Sequence, residues 1–223
     1  METIRMAWQL LRKEFVLEWR NRVAFNGIVL YVACVVFICY LSFHTQAAEV
    51  TPEVWSTLFW IVMLFAAVNA AAKSFAQEGR ERMFYYYTIA SAEAIILSKL
   101  IYNVMLLLLL GFVSYAFYSV VMGNPVLSHW LFVSGLGLGA IGLGASLTLI
   151  SGIASKAGNN GSLMAVLGLP VMVPVLLMTM KLSQSAILGE TFYDATDTLL
   201  ALGAIDAIAA SLSVILFPQV WRS

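Results

Sequence analysis

Gly137-Leu138-Gly139-Ala140-Ile141-Gly142 has the G-x-G-x-x-G spacing with which a glycine turn cradles a pyrophosphate. That chemistry needs a strand before the turn and a soluble βαβ unit around it. Here the pattern lies inside an apolar run, so a nucleotide site is rejected. The same glycines suit close helix packing in lipid. Ala140, Gly144, Thr148 and Gly152 recur every four residues, and Gly135 and Gly139 form a G-x-x-x-G pair. A seam inside one subunit and an interface between two subunits are both open readings of this stripe.

Other candidates for chemistry are few. No G-x-x-x-x-G-K-[ST] loop occurs, so any ATP site belongs to a separate subunit. Asp206 falls near the middle of an apolar run, where an ionisable group is costly and marks a functional candidate. Ser211 or a hydroxyl from another span could satisfy it instead. Asn69 is expected to bond between helices. The two histidines, His44 and His129, map to separate loops on one side of the membrane. Imidazole ligates haem iron and metals, but two isolated rings make no site. The tryptophans are scattered and suggest no haem platform. Cys34 and Cys39 are five apart inside one apolar run, a poor spacing for a redox pair, and read as small buried hydrophobes. No Ser/His or His/Asp/Glu constellation shares a layer. The expectation is a protein with no catalytic residue, no metal and no directly bound cofactor.

The elements that must position these residues are membrane helices. Hydrophobic residues make up 61% of the 223 and charged residues 11%, against about a quarter charged in a soluble domain. The apolar runs are near the roughly 20 residues that cross the hydrocarbon layer. Backbone groups in lipid must be satisfied within the segment, so the runs are helices. The expected fold is an all-α, single transmembrane domain over 1–223, with six spans at about 24–43, 54–72, 94–121, 130–152, 162–180 and 198–217. Thr51-Pro52-Glu53 is a good start for the second. Before the first span, 1–23 reads as an amphipathic helix in the membrane interface or against a partner. Ile4, Trp8, Leu11, Phe15 and Trp19 recur at helical spacing, with Arg5, Gln9, Arg12, Lys13 and Arg20 on much of the other side.

Charge sets the orientation. Of the 12 Lys and Arg, only Lys181 falls on the side opposite the N-terminus. Cytoplasmic loops carry the basic excess, so both termini are expected in the cytoplasm.

The loop 73–93 is the largest connection on that side. Gln77-Glu78-Gly79-Arg80-Glu81-Arg82 is followed by Met83-Phe84-Tyr85-Tyr86-Tyr87. Charges for register and aromatics for anchoring suit docking to a soluble partner, although tyrosines also favour the interface itself. Pro170 and Pro174, one turn apart in the fifth span, each remove a backbone donor and suggest a bent or broken helix, a hinge or transport-path device or a static kink. The partly apolar segment from Lys181 to Asp197 reads as short re-entrant helices or as an exposed loop.

This arrangement resembles the permease subunit of an ABC-2-type ABC exporter, and within that group the B subunit of the cytochrome c maturation system, the haem exporter protein B or CcmB family. The strongest run is Gly152-Ile153-Ala154-Ser155-Lys156-Ala157-Gly158-Asn159-Asn160-Gly161, continuing through Leu169-Pro170 and Val173-Pro174-Val175-Leu176-Leu177. The second is Phe75 to Lys99. There the family's acidic cluster is reduced to Glu78 and Glu81, and its leucine-proline stretch is replaced by Tyr85-Tyr86-Tyr87-Thr88-Ile89-Ala90-Ser91.

The resemblance implies a bacterial inner-membrane permease paired with an ABC ATP-binding subunit, in two copies, with small and haem-handling membrane subunits. ATP on the partner would drive haem delivery, either export of haem as cargo or release of a haem-loaded chaperone. Gln77 to Arg82 would couple to the ATPase, with the helix from Thr3 to Arg20 beside it. A permease for another cargo (lipid, polysaccharide or drug) and a non-transporting membrane scaffold are the rival readings.

Overall fold

The computed structural model describes residues 2–20, 22–45, 50–76, 91–156 and 161–222. Seven helices occur in order among them: α1 Glu2–Arg20, α2 Arg22–Thr45, α3 Pro52–Ala76, α4 Ala92–Met122, α5 His129–Lys156, α6 Gly161–Leu188 and α7 Thr196–Arg222. The fold is all-α, as the composition requires. Among the described residues five stretches are long and apolar enough to cross a membrane: Pro52–Ala72, Ala92–Met122, His129–Ser155, Val166–Leu188 and Thr196–Gln219. The shortest has 21 residues, which at 1.5 Å per residue is roughly 31 Å, the thickness of the hydrocarbon layer. In α2 the apolar stretch among the described residues, Val29–Phe43, is shorter.

Local sequence explains the helix ends. Thr51 caps α3 by accepting from the Val54 amide at 3.4 Å, with Pro52 as first helical residue and Glu53 in the first turn. Ser91 caps α4 in the same way, its Oγ accepting from the Ala94 amide at 3.3 Å. α4 ends at Gly123 and α6 at Gly189, with φ of 80° and 77°; a Cβ strains this left-handed backbone, so glycine suits both stops. The connection after α4 is tied to the last turn of α6: the amides of Leu127 and Ser128 both donate to the Ala186 carbonyl, at 3.2 and 2.9 Å.

α5 is the central helix, packed on α3, α4, α6 and α7. α1 lies against the N-terminal part of α4, and α2 against α3 and α4.

Two expectations are corrected. α6 does not stop near Met180; it continues to Leu188 because Leu182, Ala186 and Ile187 keep its inward face buried while Lys181 points outward. A single charge on the outer face gives a helix no reason to end. The chain then makes a tight turn from Gly189 to Ala195, with no re-entrant helix among these residues. Nor is the helix broken at its prolines: α6 runs unbroken through Pro170 and Pro174. Both prolines face outward with Val166, Leu169, Val173 and Leu177.

Candidate functional site

The small-residue stripe of α5 turns to four different neighbours. Gly135 faces Leu182 of α6. At Gly139 a Cβ would lie 2.7 Å from Cζ3 of Trp60 and 2.9 Å from Cγ2 of Thr179, so α3 and α6 both close on the bare backbone. At Gly142 it would fall onto Asp206 Oδ1 of α7 and 2.9 Å from Val175 of α6. At Gly144 it would meet Val104 of α4 at 2.8 Å. Gly152 is buried near the end of the helix. The glycines at 135, 139 and 144 are thus spent on seams inside this chain.

Polar contacts run along the same seams. Trp60 Nε1 donates to Ser183 Oγ at 2.8 Å, and Ser183 donates on to the Thr179 carbonyl at 2.8 Å. Asn103 Nδ2 donates to Thr148 Oγ1 at 2.8 Å, joining α4 to α5. Ser213 Oγ of α7 lies 3.1 Å from the Ala145 carbonyl of α5. Asp206 differs from all of these. It is 4% exposed, packed on Gly142, and neither carboxyl oxygen has a hydrogen-bond partner among the described residues. Ser211, one of the two partners considered, is exposed on another face of α7. Five residues along a helix place two side chains about 140° apart, which is the physical reason. Asp206 also does not meet the prolines, which lie on the outer face of α6.

The seam between α1 and α4 is ionic. Lys99, 1% exposed, sits in the third turn of α4, and its Nζ lies 3.7 Å from Glu14 Oε1 of α1. Lys13 Nζ reaches the same oxygen at 3.0 Å. Beside them Phe15 meets Tyr102 edge to face, with centroids 5.5 Å apart. The inward stripe of α1 is Ala7, Leu11 and Glu14, a helical spacing of four and three. The expected apolar stripe is therefore displaced: Ile4 and Trp8 are 69% and 68% exposed, and Phe15 is also exposed. Arg12 lies beside Trp8 and Phe15 in one groove and not on the opposite side; Arg5 is exposed. The side chain of Trp19 lies outside the described residues.

The sequence reading missed Glu14 altogether and used Lys99 only toward orientation and as the end of the family-like run from Phe75. The signal was present, since a lysine eight residues into an apolar helix must find a carboxylate or a carbonyl when buried. It also missed an aromatic cluster in which two of the tryptophans meet. Trp55 lies 4.8 Å from Tyr118 and 5.8 Å from Phe132, Phe59 lies 5.5 Å from Trp60, and Tyr115 stacks on Phe132 at 4.5 Å. Its members come from α3, α4 and α5, which no one-dimensional spacing reveals.

The remaining candidates are quickly placed. Asn69 donates to the Phe65 carbonyl of its own helix at 2.9 Å, so it is no interhelical bond. Cys34 is exposed and Cys39 half-buried, both as free thiols, not the buried pair expected. His129 lies 3.3 Å from the Asn124 amide. The candidate coupling residues Gln77, Glu78, Gly79, Arg80, Glu81 and Arg82 lie outside the described residues, as do Ala157 to Asn160.

These observations describe a multi-pass α-helical membrane protein. No curated protein matches the chain. The family model described as CcmB protein matches residues 5–222, nearly the whole chain. The chain therefore belongs to the CcmB family, haem-exporter permease components of the cytochrome c maturation ABC transporter, whose ATP-binding subunit is a separate partner.

Proposed function

We propose that this chain is the non-catalytic permease through which ATP hydrolysis on a partner subunit drives haem delivery for c-type cytochromes, by export of haem or by release of a haem-loaded chaperone. In this reading α2 to α7 are six spans and both termini face the cytoplasm, in a bacterial inner membrane. α1 lies in the cytoplasmic interface, Gln77 to Arg82 receive the ATPase stroke, and two copies assemble with two ATPase subunits and with small and haem-handling membrane subunits. The chain binds no cofactor of its own.

The family match over residues 5–222 carries the haem-delivery reading, and the Glu14–Lys99 contact supports its coupling part. α4 begins at Ala92, directly after the candidate coupling loop. Lys99 ties the third turn of α4 to α1, so a displacement of the loop is passed to two elements at once, an interfacial helix and a 31-residue helix. Buried ion pairs resist separation because a lone buried charge is costly. Asp206, buried and unpartnered against the central helix, is the group best placed to sense the resulting shift of α7 on α5.

The test is covalent-haem staining of membranes from a deletion strain complemented with wild type, Gly79→Pro, Arg80→Ala or Asp206→Asn. Loss of all c-type cytochromes on deletion and recovery with wild type is expected. The variants should insert at normal levels and restore little staining. Full staining on deletion rejects the maturation role, and full staining in the Gly79 and Arg80 variants rejects the coupling loop alone.

A further inference from the structure

Trp8, Leu11, Arg12 and Phe15 of α1 face Ile101 and Met105 of α4 across a laterally open cleft of about 550 Å³. Its walls are apolar except at Arg12. The neighbouring acid, Glu14, is turned inward and engaged by Lys13 and Lys99, so it does not compete for the Arg12 guanidinium at the edge of the cleft. Arg12 is exposed and has no ion pair among the described residues.

We infer that this cleft is a binding site for one anionic phospholipid of the surrounding bilayer, with an acyl chain against Phe15, Ile101 and Met105 and the headgroup phosphate on Arg12. Three observations select this occupant. Met105 lies on a candidate membrane span and is 47% exposed, so the cleft opens where lipid is the solvent. The walls are apolar on both helices, with Leu11 and Phe15 facing Ile101 and Met105, as a hydrocarbon chain requires. A guanidinium beside an apolar slot matches a phosphate joined to a hydrocarbon chain, and its planar fork suits a phosphate bidentately.

A bound lipid of this kind would fill the open side of the α1–α4 seam. The inference rests on the interfacial placement proposed for α1, and the experiment separates the two.

Trp8 lines the cleft and reports on it. The full chain, co-purified with its ATP-binding partner, is reconstituted in zwitterionic vesicles containing an equal minor fraction of bromine-labelled phosphatidylglycerol or phosphatidylcholine. Subtracting a Trp8→Phe sample isolates the quenching of Trp8. The expected result is an apparent affinity for the anionic lipid about fivefold above that for the zwitterionic one, the contribution of one arginine at the membrane surface. The preference disappears in Arg12→Gln and survives in Arg5→Gln, which removes the same charge outside the cleft. Equal quenching by both lipids in wild type, or equal loss in the two arginine variants, overturns the site while leaving α1 in the interface. Quenching by neither lipid overturns the site and the interfacial placement together.

Discussion

Along α5 the helices meet glycine against ring or branched side chain, joined by neutral hydrogen bonds such as Trp60–Ser183 and Asn103–Thr148. Between α1 and α4 they meet through a buried ammonium and a carboxylate. In lipid there is no hydrophobic drive to bring apolar helices together, so close approach and dispersion must do it, and glycine permits the closest approach. At the membrane edge water solvates whatever the seam leaves open, and charge becomes usable. The first kind of seam fixes a geometry by bare backbone contact; the second is held by charge, since Lys99 is buried and a lone buried ammonium is costly.

The sharpest way to break the central seams is to compare two glycines on one helix. Gly139 has the Trp60 ring and Thr179 against it, and Trp60 is held in place by Ser183. Gly137, two residues away, has nothing within 4 Å. Gly139→Val is expected to cost more than the usual ~1–3 kcal/mol of overpacking, because the neighbouring ring cannot swing aside. Gly137→Ala should be neutral or stabilising by roughly 0.5–1 kcal/mol, the helical advantage of alanine. Thermal unfolding of the purified chain in one detergent reads both. Equal effects would show that α5 is not the rigid centre described.

The ionic seam comes next in size. Glu14→Gln leaves the Lys99 charge buried with a weaker partner, and removing one member of a buried pair costs about 3–5 kcal/mol. Lys13 is a cation on the same carboxylate and cannot compensate for the lost negative charge. The double variant Glu14→Gln/Lys99→Met should recover most of that stability, since no buried charge remains. If the seam transmits motion, the double variant should be stable and yet deliver less covalent haem. Full recovery of both would reduce Glu14 and Lys99 to a structural pair.

Smaller still are the neutral bonds. Ser183→Ala and Thr148→Val should each cost about 0.6 kcal/mol, the average for hydrogen bonds between membrane helices. A loss of several kcal/mol in either would mean that the polar contacts, and not the glycine approach, set the central geometry.

Much of this fold was legible in the sequence because lipid simplifies the rules. Apolar runs near the bilayer thickness had to be helices, and Thr51-Pro52-Glu53 announced the start of α3 by its caps. The small residues at 135, 139 and 144 announced close packing, though their spacing could not say which helix each would meet, since that depends on how seven helices are arranged. Ends were misjudged where a lone charge such as Lys181 looked like a boundary, because the inward residues Leu182 and Ala186 outweigh it. The candidate site was less legible. Glu14 and Lys99 are 85 positions apart, and Asp206 was visible only as a charge in an apolar run. Its position against Gly142 requires two helices to be in register. The groove beside Arg12 was hidden because the inward stripe of α1 is Ala7–Leu11–Glu14, which has less apolar bulk than Ile4–Trp8–Phe15.

The turn between α6 and α7 extends the comparison to a third environment, where charge is fully solvated. Asp194 Oδ2 accepts from Thr191 Oγ1 at 2.7 Å and from the Thr191 amide at 3.0 Å. The side-chain bond first and the backbone bond second hold the carboxyl below its ordinary 3.8. A depressed carboxylate contributes its stability above the unfolded value, and that contribution fades as pH falls through the lower folded value. Unfolding temperature should therefore drop slightly between about pH 5 and pH 3 in wild type. Asp194→Asn should remove only that part of the dependence, leaving the rest of the acid profile unchanged. An identical profile in the two proteins would mean that this turn frays without affecting the bundle. The charged contact most open to water would then matter least, consistent with the order expected from the central glycines outward.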